Sequence, residues 1–341
     1  VKNHKLLLLR NIIILVLSLL FLVGGGTCVY TDQLLGKINY VAPDSGTGEK
    51  TGDIFQDGNA SSGTADAKAG LVGGLYHDDA VTNILLLGTD DYQSSDVGRS
   101  DSMMLISVDT RHRKLKITSF MRDMYLAIPG LGSNKLTNAY SLGGGKVKGA
   151  KKIVSTLEAN FGVDIDRFAI VDFSAFPKII DRLGGVTITL TAGEAALVNR
   201  YSGDSHKVRA GSQNLNGLQA RYYSRIRDIG NDYERTLRQR KVFTSLVGKM
   251  KASSLPAIYG VLGDTLNLVT TNLQKNEIVS MASNSLTYLN YPVSQNRVPA
   301  DGEFQVLGLD VGDCLVPDLD ACRQSLAKFI YENDIPQGSY S

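Results

Sequence analysis

The chain has 341 residues, of which 43% are hydrophobic and 21% charged. This is ordinary globular composition and enough length for one large domain or two modest ones. A formal net charge of +2 excludes a generic polyanion binder, so any affinity for anions must come from local clusters.

Residues 11–30 form a run of about 20 positions without a charge, enough to span a bilayer. Lys2, Lys5 and Arg10 precede it, so the positive-inside rule leaves residues 1–10 in the cytoplasm and everything after residue 30 outside. Gly26-Thr27-Cys28-Val29-Tyr30 offers no small-x-small cleavage site, which favours a signal anchor over a cleaved leader. Residues 31–80 then read as a flexible extracytoplasmic linker, because 42–69 is rich in Gly, Ser, Asp and Ala and has no periodicity. Residues 81–341 read as one folded unit with a core over 81–250 and closing elements over 251–335, since no linker-like composition divides them.

Order begins at Val81. Ile84–Leu87 is a wholly apolar run, expected as a strand buried on both faces, and it ends in Gly88-Thr89-Asp90-Asp91. Arg99-Ser100-Asp101 leads into a second strand, Met103–Val108. A third, Leu115–Phe120, runs into Met121-Arg122-Asp123. Charged segments thus repeatedly abut strand ends, where α/β sheets place ligands. Residues 133–149 read as a loop with a short helical turn, and Lys151–Asn160 as a helix stopping near Gly162. Phe168–Phe173 reads as a strand, Ser174–Leu183 as a helix closed by Gly184-Gly185, and Val186–Leu190 as another strand. The alternation indicates an α/β sandwich. Leu215–Arg221 is expected as a short helix. Beyond Met250, Asn272–Ser283 and Asp318–Tyr331 read as helices and Phe304–Leu309 as a strand.

The stretch 221–241 holds Arg221, Arg225, Arg227, Arg235, Arg238 and Arg240. Asn231 and Glu234 have capping-box spacing, so a helix is expected from about Asp232, with Tyr233, Leu237, Phe243, Leu246, Val247 and Met250 as its apolar stripe. On that helix Arg235, Arg238 and Gln239 fall close together, while Arg225 and Arg227 would share one face of an extended approach. Guanidinium forks beside a helix amino end make an anion cradle. The competing reading is a solvated basic face with pairs such as Glu234–Arg238. A nucleic-acid patch is a third reading, disfavoured by the apolar span.

His4, His77, His112 and His206 lie outside these clusters and no Gly-x-Ser-x-Gly elbow occurs, which argues against a Ser-His-Asp or Cys-His nucleophile. Carboxylates and arginines remain. Asp90 and Asp101, with Asp91 and Asp96 between them, suit a hard divalent cation that completes its shell with water and phosphate. Arg99, Arg122, Arg225, Arg227 and Arg235 suit the remaining phosphate oxygens. Phosphoryl transfer needs mainly positioning and charge neutralisation, so these residue types suffice for it. Cys314 and Cys322, eight apart, are open to either a disulfide or burial as free thiols.

ILLLGTD, GRSDSMMLISVD, FMRDMYLAIPG, KLTNAYSLGGG, VDFSAFPKIIDRLGGVTI and YSRIRD…DYERTLRQR resemble, in order, the successive motifs of the LytR–CpsA–Psr family. The resemblance implies an αβα sandwich with a central mixed β-sheet behind a single amino-terminal transmembrane helix. It implies a transferase that moves an anionic glycopolymer (teichoic acid, capsule or similar) from an undecaprenyl-pyrophosphate carrier to peptidoglycan N-acetylmuramic acid. On that carry-over Asp90 and Asp101 bind Mg2+ (or Mn2+). Arg99, Arg122, Arg225, Arg227, Arg235 and Gln239, with Lys135, hold the pyrophosphate. Asp101 or Asp232 accepts the acceptor's proton. An apolar pocket for the polyprenyl chain would be lined by helices such as 174–183 and 233–250. Met121 departs from the proline that many relatives carry before Arg-Asp. The rival readings are a non-catalytic binder of polyprenyl pyrophosphate and a transcriptional attenuator, the latter lacking a DNA-binding element in residues 1–10.

Overall fold

The computed structural model describes residues 36–37, 39–41, 70–72, 75–89, 98–172, 175–230, 232–253 and 268–332. The span expected at 11–30, the linker stretch 42–69, Asp90 and Asn231 lie outside them. Among the described residues no helix is long and apolar enough to cross a membrane.

A seven-stranded mixed sheet organises the rest. Its order is Asn39–Tyr40, Val269–Thr271, Arg167–Asp172, Val81–Thr89, Ser100–Asp109, Lys114–Phe120 and Val293–Val298. The three strands expected at 84–87, 103–108 and 115–120 are its centre: Val81–Thr89 pairs antiparallel with Ser100–Asp109, which pairs antiparallel with Lys114–Phe120. Arg167–Asp172 adds parallel to the first of them.

Strand alternation sorts these side chains into two buried faces. On one, Leu85 registers with Leu105 and Leu87 with Met103, which meets Phe120 on the next strand. This face packs on helices Lys146–Phe161 and Leu319–Tyr331 through Ile153, Leu157, Leu326 and Ile330. Leu85 and Leu105 have no exposed surface, and each such burial stabilises by about 1.5–3 kcal/mol. On the other face Ile84, Ile106, Val108 and Leu115 meet residues of helices Asp232–Ala252 and Lys275–Leu289. Helices therefore cover both sides of the sheet, which is why the segment Ile84–Leu87 of its central strand reads as a continuous apolar run.

Several expectations are corrected. Residues 133–149 are not mainly loop: Gly132–Lys135 is a strand, Leu136–Leu142 a helix, and the next helix begins at Lys146 rather than Lys151. That helix does stop at Gly162, whose φ of 67° is the left-handed geometry glycine tolerates. Val186–Leu190 is a strand, but it pairs with Gly211–Leu215 in a separate two-stranded sheet. The helix expected over 215–221 spans Gly217–Arg225 and starts with a capping box on Asn216 and Gln219. Arg225 is thus its last residue and not part of an extended approach. Gly217 lies so near the Pro177 carbonyl that a side chain would not fit. This close contact seats the helix against Ala175–Arg182.

Candidate functional site

Continuing the Met103–Phe120 register two residues outward sets Asp101 opposite Arg122 at the end of the sheet. Arg122 Nη1 donates to Asp101 Oδ1 at 2.8 Å. The turn carrying Arg122 is held by the next helix: Thr137 N donates to the Arg122 carbonyl at 2.9 Å, and Thr137 Oγ1 to that of Ser100 at 2.9 Å. One threonine thereby fixes the backbone on both sides of the pair.

The arginine stretch closes over this end. Arg227 Nη2 lies 3.6 Å from Asp101 Oδ2, and Arg235 Nη2 donates to the Asp101 carbonyl at 3.3 Å. Arg99, Asp101, Arg122, Ser224, Arg225, Arg227, Arg235 and Gln239 line a cavity of about 390 Å³. Burial alone raises the Asp101 pKa, but Arg122, Arg235 and Arg227 together outweigh it and hold the carboxyl below its ordinary range. The pocket combines one anionic carboxylate with five guanidinium groups, so its surplus charge is strongly positive.

Of the residues expected at a site, Arg99, Asp101, Arg122, Arg225, Arg227, Arg235 and Gln239 are brought together. Lys135 stands one residue removed, its Nζ 3.8 Å from Asp123 Oδ1, while Asp123 Oδ2 lies 3.4 Å from Arg122 Nε. Asp232 is the first residue of the helix that delivers Arg235 and Gln239.

Arg238 was expected beside Arg235 and Gln239, but it turns away. Buried at 4% exposure, it donates from Nε to Glu194 Oε1 at 2.9 Å. Its Nη1 and Nη2 donate to the carbonyls of Ile226 and Ile229 at 3.1 and 3.0 Å. Arg238 therefore anchors the loop that presents Arg227, and only weakly makes the Glu234 pair, at 3.5 Å. Glu194 is itself fixed by the capping box with Thr191 at the start of helix Ala192–Ser202. Sequence reasoning missed Glu194, Thr137 and Ser224. Only the capping-box spacing of Thr191 and Glu194 marks any of them in advance.

A second cavity, about 230 Å³ in volume, adjoins the first. Strands contribute Leu86, Met104 and Val171, and the helices Ala175–Arg182 and Asp232–Ala252 contribute Phe176, Ile179, Phe243 and Leu246. The two helices expected to line an apolar pocket do so. Ser224 and Gln239 border both cavities, and Ser102 Oγ donates to Gln239 Oε1 at 3.2 Å along their shared wall.

Asp101 is the one carboxylate among the described residues lining the arginine-rich pocket, so it is the residue there with the donor chemistry for a hard cation. Two other groups of potential metal ligands occur among the described residues, His77–Asp164–Asp166 and Asp109–His112–Glu332, neither lining the pocket. The second already contains a cation, since Lys116 Nζ reaches Asp109 at 2.6 Å and Glu332 at 3.1 Å. Cys314 and Cys322 are both buried and free.

Three kinds of likeness accompany this geometry. The family model described as LytR_cpsA_psr matches residues 46–327. Regulatory protein MsrR of Staphylococcus aureus (strain Mu50 / ATCC 700699) is 30% identical over 276 residues, covering 79% of this chain and 80% of MsrR. The polyisoprenyl-teichoic acid–peptidoglycan teichoic acid transferase TagU of Bacillus cereus (strain AH820) is 32% identical over 231 residues, covering 67% of this chain and 72% of TagU. TagT bound to LIIa-WTA shares the fold with a TM-score of 0.62 at 21% identity, over 75% of this chain and 91% of that one. The LytR-CPS2A-psr family protein YwtF (TagT) with bound octaprenyl pyrophosphate lipid does so with a TM-score of 0.57 at 19% identity, over 77% of this chain and 96% of that one.

Proposed function

The chain belongs to the LytR–CpsA–Psr family, and from that premise we propose that it is a phosphotransferase that attaches a polyprenyl-pyrophosphate-linked anionic glycopolymer to peptidoglycan. One observation carries this reading: a guanidinium-lined pocket and an apolar cavity share a wall formed by Ser224 and Gln239. A ligand filling both needs an anionic head and a hydrocarbon tail, as a polyprenyl pyrophosphate has. TagU is named as a teichoic acid transferase, and a TagT structure contains octaprenyl pyrophosphate.

In this reading the pyrophosphate lies among Arg99, Arg122, Arg225, Arg227 and Arg235, and the polyprenyl chain, undecaprenyl in the expected donor, runs toward Phe243 and Leu246. The acceptor hydroxyl, on C6 of N-acetylmuramic acid, attacks the glycan-side phosphorus. A phosphodiester forms, the pyrophosphate bridge breaks, and undecaprenyl phosphate leaves. The arginines neutralise charge that builds on the transferring oxygens, where preorganised donors contribute most. Asp101 is a poor proton acceptor because its pKa is depressed, so it is assigned to a magnesium ion with Asp90. That ion, when bound, supplies further charge neutralisation at the phosphates. Asp232 is assigned the hydroxyl proton. The segment 11–30 serves as a signal anchor, with residues 1–10 in the cytoplasm and the catalytic domain 81–341 outside.

The test uses the full chain in detergent with a short polyprenyl-pyrophosphate glycan and peptidoglycan oligomers. Polyprenyl phosphate release and glycan attachment are followed with and without magnesium, and in Arg122→Ala and Asp101→Ala. Metal-dependent transfer lost in both variants supports the reading. Tight donor binding without turnover across several donors and acceptors replaces it with a non-catalytic carrier-binding role.

A further inference from the structure

Beside the pocket, two guanidinium groups share a corner with a single carboxylate. Arg240 is 4% exposed, and its Nε and Nη1 have no hydrogen-bond partner among the described residues. Arg297, also buried, donates from Nη2 to Asp301 Oδ1 at 2.6 Å, and its Nη1 lies 3.7 Å from Met121 Sδ. Its guanidinium carbon sits 4.2 Å from the centroid of the Tyr233 ring. Burial pushes the Arg240 pKa down; Tyr233 opposes this, and the nearness of Arg297 adds to it. Ser119 is the registered partner of Arg297 on the adjacent strand, so the two share a sheet face, and the buried Ser119 Oγ is also without a partner among the described residues.

Desolvated charge left unpaired is strongly unfavourable, and here two cations face one carboxylate. That carboxylate is almost wholly on the surface: the Asp301 side chain is 87% exposed and reaches inward to a buried guanidinium. The corner is continuous with the pocket along the chain, since Met121 precedes Arg122 and Gln239 precedes Arg240. Free N–H donors, an unpartnered hydroxyl and a displaceable surface carboxylate are the parts of an oxyanion site.

We infer that Arg240, Arg297 and Ser119 form a second anion subsite, which takes a phosphoryl oxygen of the glycan attached beyond the pyrophosphate. The inference rests on the transferase reading only for the identity of that glycan. It makes this corner a specificity element that favours phosphate-bearing over uncharged polymers. Asp301 holds Arg297 until the incoming phosphoryl group replaces it.

The experiment uses the full chain in detergent. Inorganic phosphate is titrated at constant ionic strength, followed by two polyprenyl-pyrophosphate donors, one with a phosphodiester in its glycan and one uncharged. The wild type is expected to bind two phosphates. Arg240→Met retains the one lost in Arg122→Ala, and Asp301→Asn tightens the Arg240-dependent event. Arg240→Met should weaken the phosphorylated donor by about tenfold, the scale of one charge-assisted contact, and leave the uncharged donor unchanged. Retention of both phosphates in Arg240→Met overturns the subsite and leaves buried water as the partner of Arg240. Equal weakening of both donors overturns the assignment to the glycan and gives the corner to the pyrophosphate. If Arg240→Met does not fold, Asp301→Asn decides: unchanged phosphate binding overturns the subsite. These titrations need no turnover, so failure of the transfer assay leaves them readable.

Discussion

Arg122, on the turn that follows strand Lys114–Phe120, is joined to Asp101 by a 2.8 Å hydrogen bond, with the other Asp101 oxygen 3.6 Å from Arg227. The strand end brings the two residues together, and the two Thr137 hydrogen bonds, to the carbonyls of Arg122 and Ser100, hold the backbone on both sides of the pair.

Arg122→Ala should raise the Asp101 pKa, because burial, the largest single influence, would then be opposed mainly by Arg235 and Arg227. In the wild type the folded pKa is depressed. Asp101 therefore contributes stability above its ordinary pKa of 3.8, and that contribution is lost as pH falls through the lower folded value. In the variant that contribution should be smaller and should be exhausted at a higher pH than in the wild type. Carboxyl NMR titration and melting midpoints across pH ~3 to 6 check this; an unmoved Asp101 titration refutes it.

Arg238→Ala should destabilise the fold by about 3–5 kcal/mol, since it strands the buried Glu194 carboxylate and frees the carbonyls of Ile226 and Ile229. The double variant Arg238→Met/Glu194→Met should recover much of that loss in denaturant unfolding. A single-variant loss within about 0.5 kcal/mol would mark the pair as incidental.

Met104→Trp should fill the apolar cavity and weaken a polyprenyl pyrophosphate by about tenfold or more, leaving inorganic pyrophosphate affinity unchanged. Arg122→Ala should weaken both ligands. Calorimetry with each ligand separates the outcomes, and equal loss of both ligands in Met104→Trp would show that the cavity is not where the hydrocarbon binds.

Cys314 and Cys322 should resist a thiol reagent in the native state and react without any reductant after unfolding. Burial raises both thiol pKa values, that of Cys322 to about 12, so little thiolate is present at neutral pH. Peptide mass mapping under non-reducing conditions reads this directly, and a linked pair of peptides would contradict it.

The first central strand was legible because a segment covered on both faces favours an unbroken apolar run, as Ile84–Leu87 is. Asp101 and Arg122 were legible because polar residues at the ends of such strands have few structural uses. The roles within the arginine stretch were not. Arg235, Arg238 and Arg240 are alike in a sequence, and what separates them is a partner far along the chain. Glu194, 44 residues away, claims Arg238, whereas Asp101 accepts from Arg235 through its backbone oxygen. The helical stripe was misleading for a related reason. The helix Asp232–Ala252 is wedged between the sheet, the Gly217–Arg225 helix and the site, so it buries arginines as well as apolar residues. Val186–Leu190 alternates as a half-buried strand should, but alternation identifies a strand without naming its sheet.

Ser224 and Gln239 border both cavities, so the two meet at a pair of side chains. For the proposed donor this acts as a coincidence detector. A soluble phosphate compound can fill the basic half and a neutral lipid the apolar half, but neither gains from the other. A molecule whose charged and hydrocarbon ends meet at that pair gains from both through a single loss of translational freedom, which multiplies the two affinities. Selectivity for the carrier lipid then needs no contact unique to it, only the fixed distance between two unspecialised halves.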